Sequence, residues 1–134
     1  PAKPIDGYDI RPLLFGQSGA KSPWDAAGFC YYRLEQLQAL RAGPWKLYLP
    51  LEKKIGSAAG KGAAQPAPLE LYDVRNDVGE EREVSAQHPD VVKRLLAMAE
   101  RARGEIGDLN KPGKGQRPAG WVENPQPLLP EKRP

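Results

Sequence analysis

Residues 45–50, WKLYLP, alternate so that Trp45, Leu47 and Leu49 fall on one side of an extended chain while Lys46 and Tyr48 fall on the other. A period of two with one apolar side predicts a strand in a sheet that buries one face. Such a face needs a second layer to cover it. The residues just before WKLYLP supply partner strands. GFCYYR, residues 28–33, is rich in β-favouring aromatics, and Leu37–Arg41 reads as a second strand. Ala42-Gly43-Pro44 then makes a turn, with Gly43 free to take positive φ and Pro44 ending the preceding pairing. LELYD, residues 69–73, suits a fourth strand. Asn76-Asp77-Val78-Gly79 reads as a turn in which Asn and Gly take the unusual backbone angles.

The covering layer is signalled just downstream. His88 is placed to cap a helix, Pro89 fits its first position, and Asp90 complements the positive end of the dipole. Val91, Leu95, Met98, Ala102 and Ile106 form one stripe, widened by Val92 and Ala99, with Lys93, Arg94, Glu100 and Arg101 opposite. Asp90 and Arg94 are spaced for a favourable pair, and Gly104 and Gly107 end the helix. The predicted fold is therefore α+β: a four-stranded antiparallel sheet with one long C-terminal helix packed on one face.

Irregular segments flank this unit. The 14 Gly and 15 Pro of the 134 residues gather before residue 24, between 56 and 68, and beyond 104, so the ordered part is smaller than the chain. Residues 1–9 read as a linker, and Ile10–Phe15 as a short apolar turn stopped by Gly16. Leu51–Pro68 has no useful periodicity and reads as a long mobile loop. The segment from Asp108 is rich in Pro and Gly, yet Trp121, Val122, Leu128 and Leu129 are residues that ordinarily pack on something. The expected division is a linker over 1–16, a subdomain over 17–107 and a Pro/Gly-rich tail over 108–134.

Charge excludes little. The formal net charge of +3 is divided between an acidic stretch at Glu70, Asp73, Asp77, Glu80, Glu81 and Glu83 and a basic tail with Lys111, Lys114, Arg117, Lys132 and Arg133. That is a mixed-sign, solvated surface. A lone cysteine, Cys30, has no internal disulfide partner and reads as a small buried hydrophobe. No basic-then-apolar leader opens the chain, and no apolar run approaches the ~20 residues that span a bilayer.

Residue types that carry chemistry occur without the company they need. His88 is the single histidine and precedes Pro89, with no nucleophile nearby in sequence. Asp73, Asp77 and Glu80 offer three carboxylates in one turn, but their spacing does not satisfy a calcium loop. GSAAGKG ends in Lys61-Gly62 rather than Lys-Ser or Lys-Thr and opens no helix, so it is not a phosphate-cradling loop of the Walker kind. No catalytic residue and no metal ligand is assigned.

Three segments in order, IDGYDIRPLLFG (5–16), LQALRAGPWKLYLP (37–50) and LELYDVRNDVGEEREVSAQHPDVVKRL (69–95), resemble the end of a sulfatase of the arylsulfatase A type. There an "xDGxDLxPLLxG" segment follows the large catalytic domain. An "AVRxGxWKL" hairpin, an "ELYDLxxDPGExxN" strand and turn, and a "HPEVVxRL" helix come after it. The resemblance covers residues 5–50 and 69 to about 106, and implies the same small α+β subdomain that the periodicities predict. Val78 replaces the usual Pro of "DPGE", Glu83 stands where Asn is common, and Pro44 sits where a polar residue is frequent.

The resemblance implies that this chain is the non-catalytic C-terminal part of a sulfuric ester hydrolase, and that its beginning is a cut. Its partner is then the catalytic domain of the same protein, and through it a sulfated small molecule or carbohydrate. Formylglycine, made in a "CxPSR" motif, and calcium belong to that domain; Cys30, in FCYYR, lacks the motif. A secreted, periplasmic or lysosomal parent is implied. Arg41 and Lys46 match the "R" and "K" of the hairpin motif and are the substrate-cleft candidates. The hairpin at Ala42–Pro44 and the loop Leu51–Pro68 are candidate rims. An alternative is a free-standing basic module for acidic polysaccharide or nucleic acid, using the tail and Trp121. The strands lack the aromatic and basic interleaving that base stacking uses, which disfavours nucleic acid.

Overall fold

A computed structural model describes residues 7–51, 68–109, 111–118 and 120–126. Four strands, β1 (Phe29–Arg33), β2 (Gln36–Ala42), β3 (Trp45–Tyr48) and β4 (Glu70–Asp73), form an antiparallel sheet in the order β1-β2-β3-β4. Short helices α1 (Arg11–Leu14) and α2 (Trp24–Ala27) precede it, and the long helix α3 (Pro89–Glu105) follows. A two-stranded hairpin, β5 (Gly107–Asp108) and β6 (Lys111–Pro112), closes the described fold. The α+β architecture expected from the periodicities is the observed one.

The register explains which side chains are buried. Leu40 pairs with Leu47 and Leu47 with Leu71, so three leucines line up across β2, β3 and β4 on the helix side. Leu37, Leu40, Ala42, Leu47, Leu49 and Leu71 pack with Leu95, Met98, Ala99 and Ala102 of α3. Trp45 borders this core, as the alternation of WKLYLP requires, and Cys30 and Tyr32 of β1 pack against it. The small Ala99 and Ala102 let the helix lie close to the sheet. Two central residues of the β2–β3 turn suffice because Gly43 adopts φ +60°.

Several details differ from expectation. Ile106 is half exposed, since α3 stops one residue before it and the apolar stripe ends at Ala102. Gly104 lies inside the helix, and Gly107, at φ +107°, makes the exit. In the turn after β4, the left-handed backbone belongs to Glu80 (φ +55°), while neither Asn76 nor Gly79 takes positive φ. His88 stands at the N-cap position but its side chain makes no capping bond; its ring lies 4.6 Å from that of Trp45. Asp90 and Arg94 form no ion pair among the described residues; Arg103 instead bridges Glu100 and Asp108. Trp121 is 80% exposed, so the packing partner expected for it is not found among the described residues. Leu128, Leu129 and the greater part of the loop Leu51–Pro68, including Lys61, lie outside the described residues.

Two devices protect the ends of the sheet. Along the outer edge of β4, Val84 N–H donates to Leu71 O and the Glu83 carboxylate accepts from Leu71 N–H, so the edge is capped by the returning chain. Beyond the other end, Tyr32 O–H donates to Gly107 O at 2.9 Å, Leu37 N–H donates to Asp108, and Leu109 N–H donates to Glu35 O. Burial, then the nearby charges of Cys30 and Asp108, push the Tyr32 phenol up to about 12, so it stays a donor. Among the described residues no helix is long and apolar enough to cross a membrane.

Candidate functional site

The sheet has a second face that α3 does not cover. The alternation that turns Trp45 and Leu47 to the helix turns Lys46 and Tyr48 away from it, and Arg41 lies opposite Lys46 in the β2–β3 register. The two cleft candidates are thus cross-strand neighbours, as the hairpin motif implies, yet their situations diverge.

Lys46 is engaged. Its ammonium lies 2.6 Å from Glu80 Oε1, while Tyr48 O–H donates to Glu80 Oε2 at 2.6 Å. The rings of Tyr48 and Tyr31 flank the ammonium at 4.6 and 5.3 Å. Partial burial works to raise the Glu80 carboxyl, but the bonds from Lys46 and Tyr48 outweigh it and hold the group below its ordinary value. Burial likewise works to lower the Lys46 ammonium, and the Glu80 and Tyr48 bonds prevail and raise it. Glu80 reaches this position because the turn after β4 folds over the sheet edge with a left-handed residue at Glu80 itself. No propensity rule would place a glutamate there.

Arg41 is available. Its side chain is exposed, makes one long 3.4 Å bond to Gly43 O, and forms no ion pair among the described residues. It borders a shallow cleft with Ser22, Trp24, Asp25, Phe29 and Tyr31. The aromatic rings form a contiguous row: Trp24 meets Phe29 edge-on at 6.0 Å and Phe29 meets Tyr31 at 5.1 Å, with Tyr8 against Trp24 at 5.5 Å. Phe29 is 44% and Tyr31 36% exposed. Trp24 is brought in by α2, a turn of helix that composition alone did not disclose. The one available signal was the aromatic spacing of Trp24, Phe29 and Tyr31 around a flexible Gly28.

Residues that sequence reading set aside also find places. Cys30 is half buried against the core and desolvation raises its thiol above the ordinary value, an environment unsuited to a modified nucleophile. Asp73 accepts from Arg75 N–H and Asn76, Asp77 from the backbone of Glu81 and Arg82, and Glu80 from Lys46 and Tyr48. Each carboxylate organises its own turn, and no group of three metal-ligating side chains occurs among the described residues. No protein-family model matches this chain, and no curated protein matches it.

Proposed function

We propose that this chain is the C-terminal, non-catalytic subdomain of a sulfatase, packing on a catalytic domain that carries formylglycine and calcium and contributing one wall of the substrate cleft. The observation that carries the reading is the clasp between Lys46 and Glu80. These residues come from two of the segments on which the resemblance rests, the WKL hairpin and the turn after LYD, and they meet at 2.6 Å. A third segment, HPDVVKRL, begins the helix that covers the same sheet. The segments thus depend on one another physically, which is what a shared scaffold requires. Leu14 and Phe15, in the segment that resembles the exit from a catalytic domain, are 71% and 82% exposed. Exposed apolar residues of that size suit burial against a larger neighbour.

The scaffold itself does no chemistry in this reading. Its fixed elements hold Arg41 at the rim, while the chemistry of ester cleavage belongs to the partner domain. The test is to sequence the transcript upstream of the Pro1 codon and to assay the purified chain for 4-nitrophenyl sulfate hydrolysis with calcium. An in-frame CxPSR motif and no turnover are expected. Absence of the motif throughout the reading frame, or turnover well above buffer, removes the proposal.

The alternative of a basic module draws on the exposure of Trp121, Lys111, Lys114 and Arg117 in one tail segment. It requires retention on heparin or single-stranded DNA that falls steeply with salt. Flow-through at physiological ionic strength would remove it.

A further inference from the structure

We propose that the aromatic cleft beside α2 is a docking groove for this chain's own proline-rich segment 127–133, PLLPEKR, which lies outside the described residues. The proposal does not rest on the sulfatase reading. Trp24, Phe29 and Tyr31 form an unbroken row of rings, with centroids stepping 6.0 and 5.1 Å and planes crossed at 70° and 68°. Rings set edge to face leave slots between them, and aromatic rows of this kind take polyproline II segments, whose rigid prolines lose little entropy on docking. Pro127 and Pro130 are spaced for that use. Three residues make one polyproline II turn of about 9 Å, so the two rings project from the same side at a separation close to the run from Trp24 across Phe29 to Tyr31. Leu128 and Leu129 add apolar surface that Phe29, 44% exposed, can cover.

The polar lining fits the same occupant. A polyproline II backbone makes no internal hydrogen bonds, and the Ser22 hydroxyl and the exposed Arg41 guanidinium border the cleft as donors for its free carbonyls. Asp25, on the same border, supplies a carboxylate for Lys132, two residues beyond Pro130. That pairing fixes the direction in which the segment runs. Reach is not limiting. The Gln116 side chain donates to Ile106 O, near the end of β1 where Tyr32 meets Gly107, whereas the cleft lies at the Phe29 end. β1 has five residues, a length of about 17 Å. Residues 117–126 separate Gln116 from Pro127 and extend to about 33 Å. Residues 120–126 are exposed, so no burial holds them elsewhere. Tethering supplies an effective concentration in the millimolar range, which lets a shallow groove suffice.

The experiment is nuclear magnetic resonance of the full chain with labelled proline. Ring protons of Pro127 and Pro130 should appear upfield of their random-coil positions and show contacts to the Phe29 and Tyr31 rings. Phe29→Ala should return them to random coil. Because that change touches the body of the fold, a chain carrying both Pro127→Ala and Pro130→Ala is the second arm. It should move the Trp24 indole and Tyr31 signals and leave the Leu47 methyls where they were. A free peptide of residues 127–133 added to this double variant should bind and restore the shifts, and Asp25→Asn should weaken that peptide by roughly two- to fivefold, as loss of an exposed ion pair does. Random-coil proline signals in the unaltered chain, or upfield signals that survive Phe29→Ala, would overturn the proposal. So would failure of the peptide to bind. Upfield signals that vanish on dilution would assign the segment to a second copy and refute docking within one chain. Undiminished peptide affinity after Asp25→Asn would refute the assigned direction of the segment.

Discussion

The two faces of the sheet are made from the same four strands and obey opposite rules. On the helix side, Leu40, Leu47 and Leu71 line up across adjacent strands and are 1%, 0% and 0% exposed, so each contributes the burial of a whole leucine side chain. On the other side, Arg41, Lys46 and Tyr48 alternate with them and are held by individual contacts or by none. The first face is held by dispersion and exclusion of water, and any lost volume is felt. The second is an array of polar and aromatic groups in or near solvent, where single contacts contribute little to stability. Close packing and exposed polar and aromatic groups are therefore separated onto opposite sides of one layer.

Leu47→Ala is the most severe way to break this contrast. It removes a fully buried side chain at the centre of the core, and unfolding free energy should fall by about 2 to 5 kcal/mol in a urea titration. A loss below about 1 kcal/mol would mean that the helix face is not close-packed. The open face should respond more weakly, and through charge. Lys46→Met deletes the clasp to Glu80, a partly exposed pair, and should cost about 0.5 to 1 kcal/mol near neutral pH.

That difference should depend on pH in a definite sense. The Glu80 carboxyl is held below its ordinary value in the folded chain, so its share is present above the unfolded carboxylate range and is lost as pH falls through the lowered value. The Lys46 ammonium is raised, so its share is complete below the ordinary lysine value and is lost only as pH rises through the higher one. Melting curves of wild type and Lys46→Met should converge in strong acid and diverge at neutral pH. Parallel curves throughout would dissolve the clasp as an electrostatic device. The smallest effect is expected for Arg41→Ala, within about 0.5 kcal/mol of wild type. A larger loss would show that Arg41 belongs to the scaffold and would sharpen the division by moving one residue across it.

Legibility in the sequence follows the range of the interactions. WKLYLP disclosed its two faces, and the leucine and alanine stripe of α3 disclosed its buried side, because both patterns repeat within a few residues. Pro89 marked the helix start for the same reason. Ile106 misled because periodicity continues past the point where the backbone leaves the helix. In the turn after β4, Asn76 and Gly79 had the right propensity, but Glu80 took the left-handed conformation. Its bonds to Lys46 and Tyr48, over thirty positions away, outweigh the local preference. Trp121 has the size of a core residue, and burial of such a residue is decided by what lies beside it in space.

For the candidate site the division is similar. Arg41 and Lys46 could be singled out from the hairpin motif, and their register follows from a two-residue turn. That one is closed by Glu80 while the other faces an aromatic cleft could not be read from spacing. Helix α2 escaped notice because four residues carry too little periodicity to be seen.

The sequence by itself determined the layers of this protein: which strands form, which side of each is apolar, and where the helix starts, since those depend on neighbours one to four residues apart. Tertiary structure alone decided that Lys46 is clasped by Glu80, that Trp24, Phe29 and Tyr31 share a cleft with Arg41, and that Glu83 caps the edge of β4. These contacts depend on elements that only the closed fold brings side by side, and no local pattern encodes that proximity.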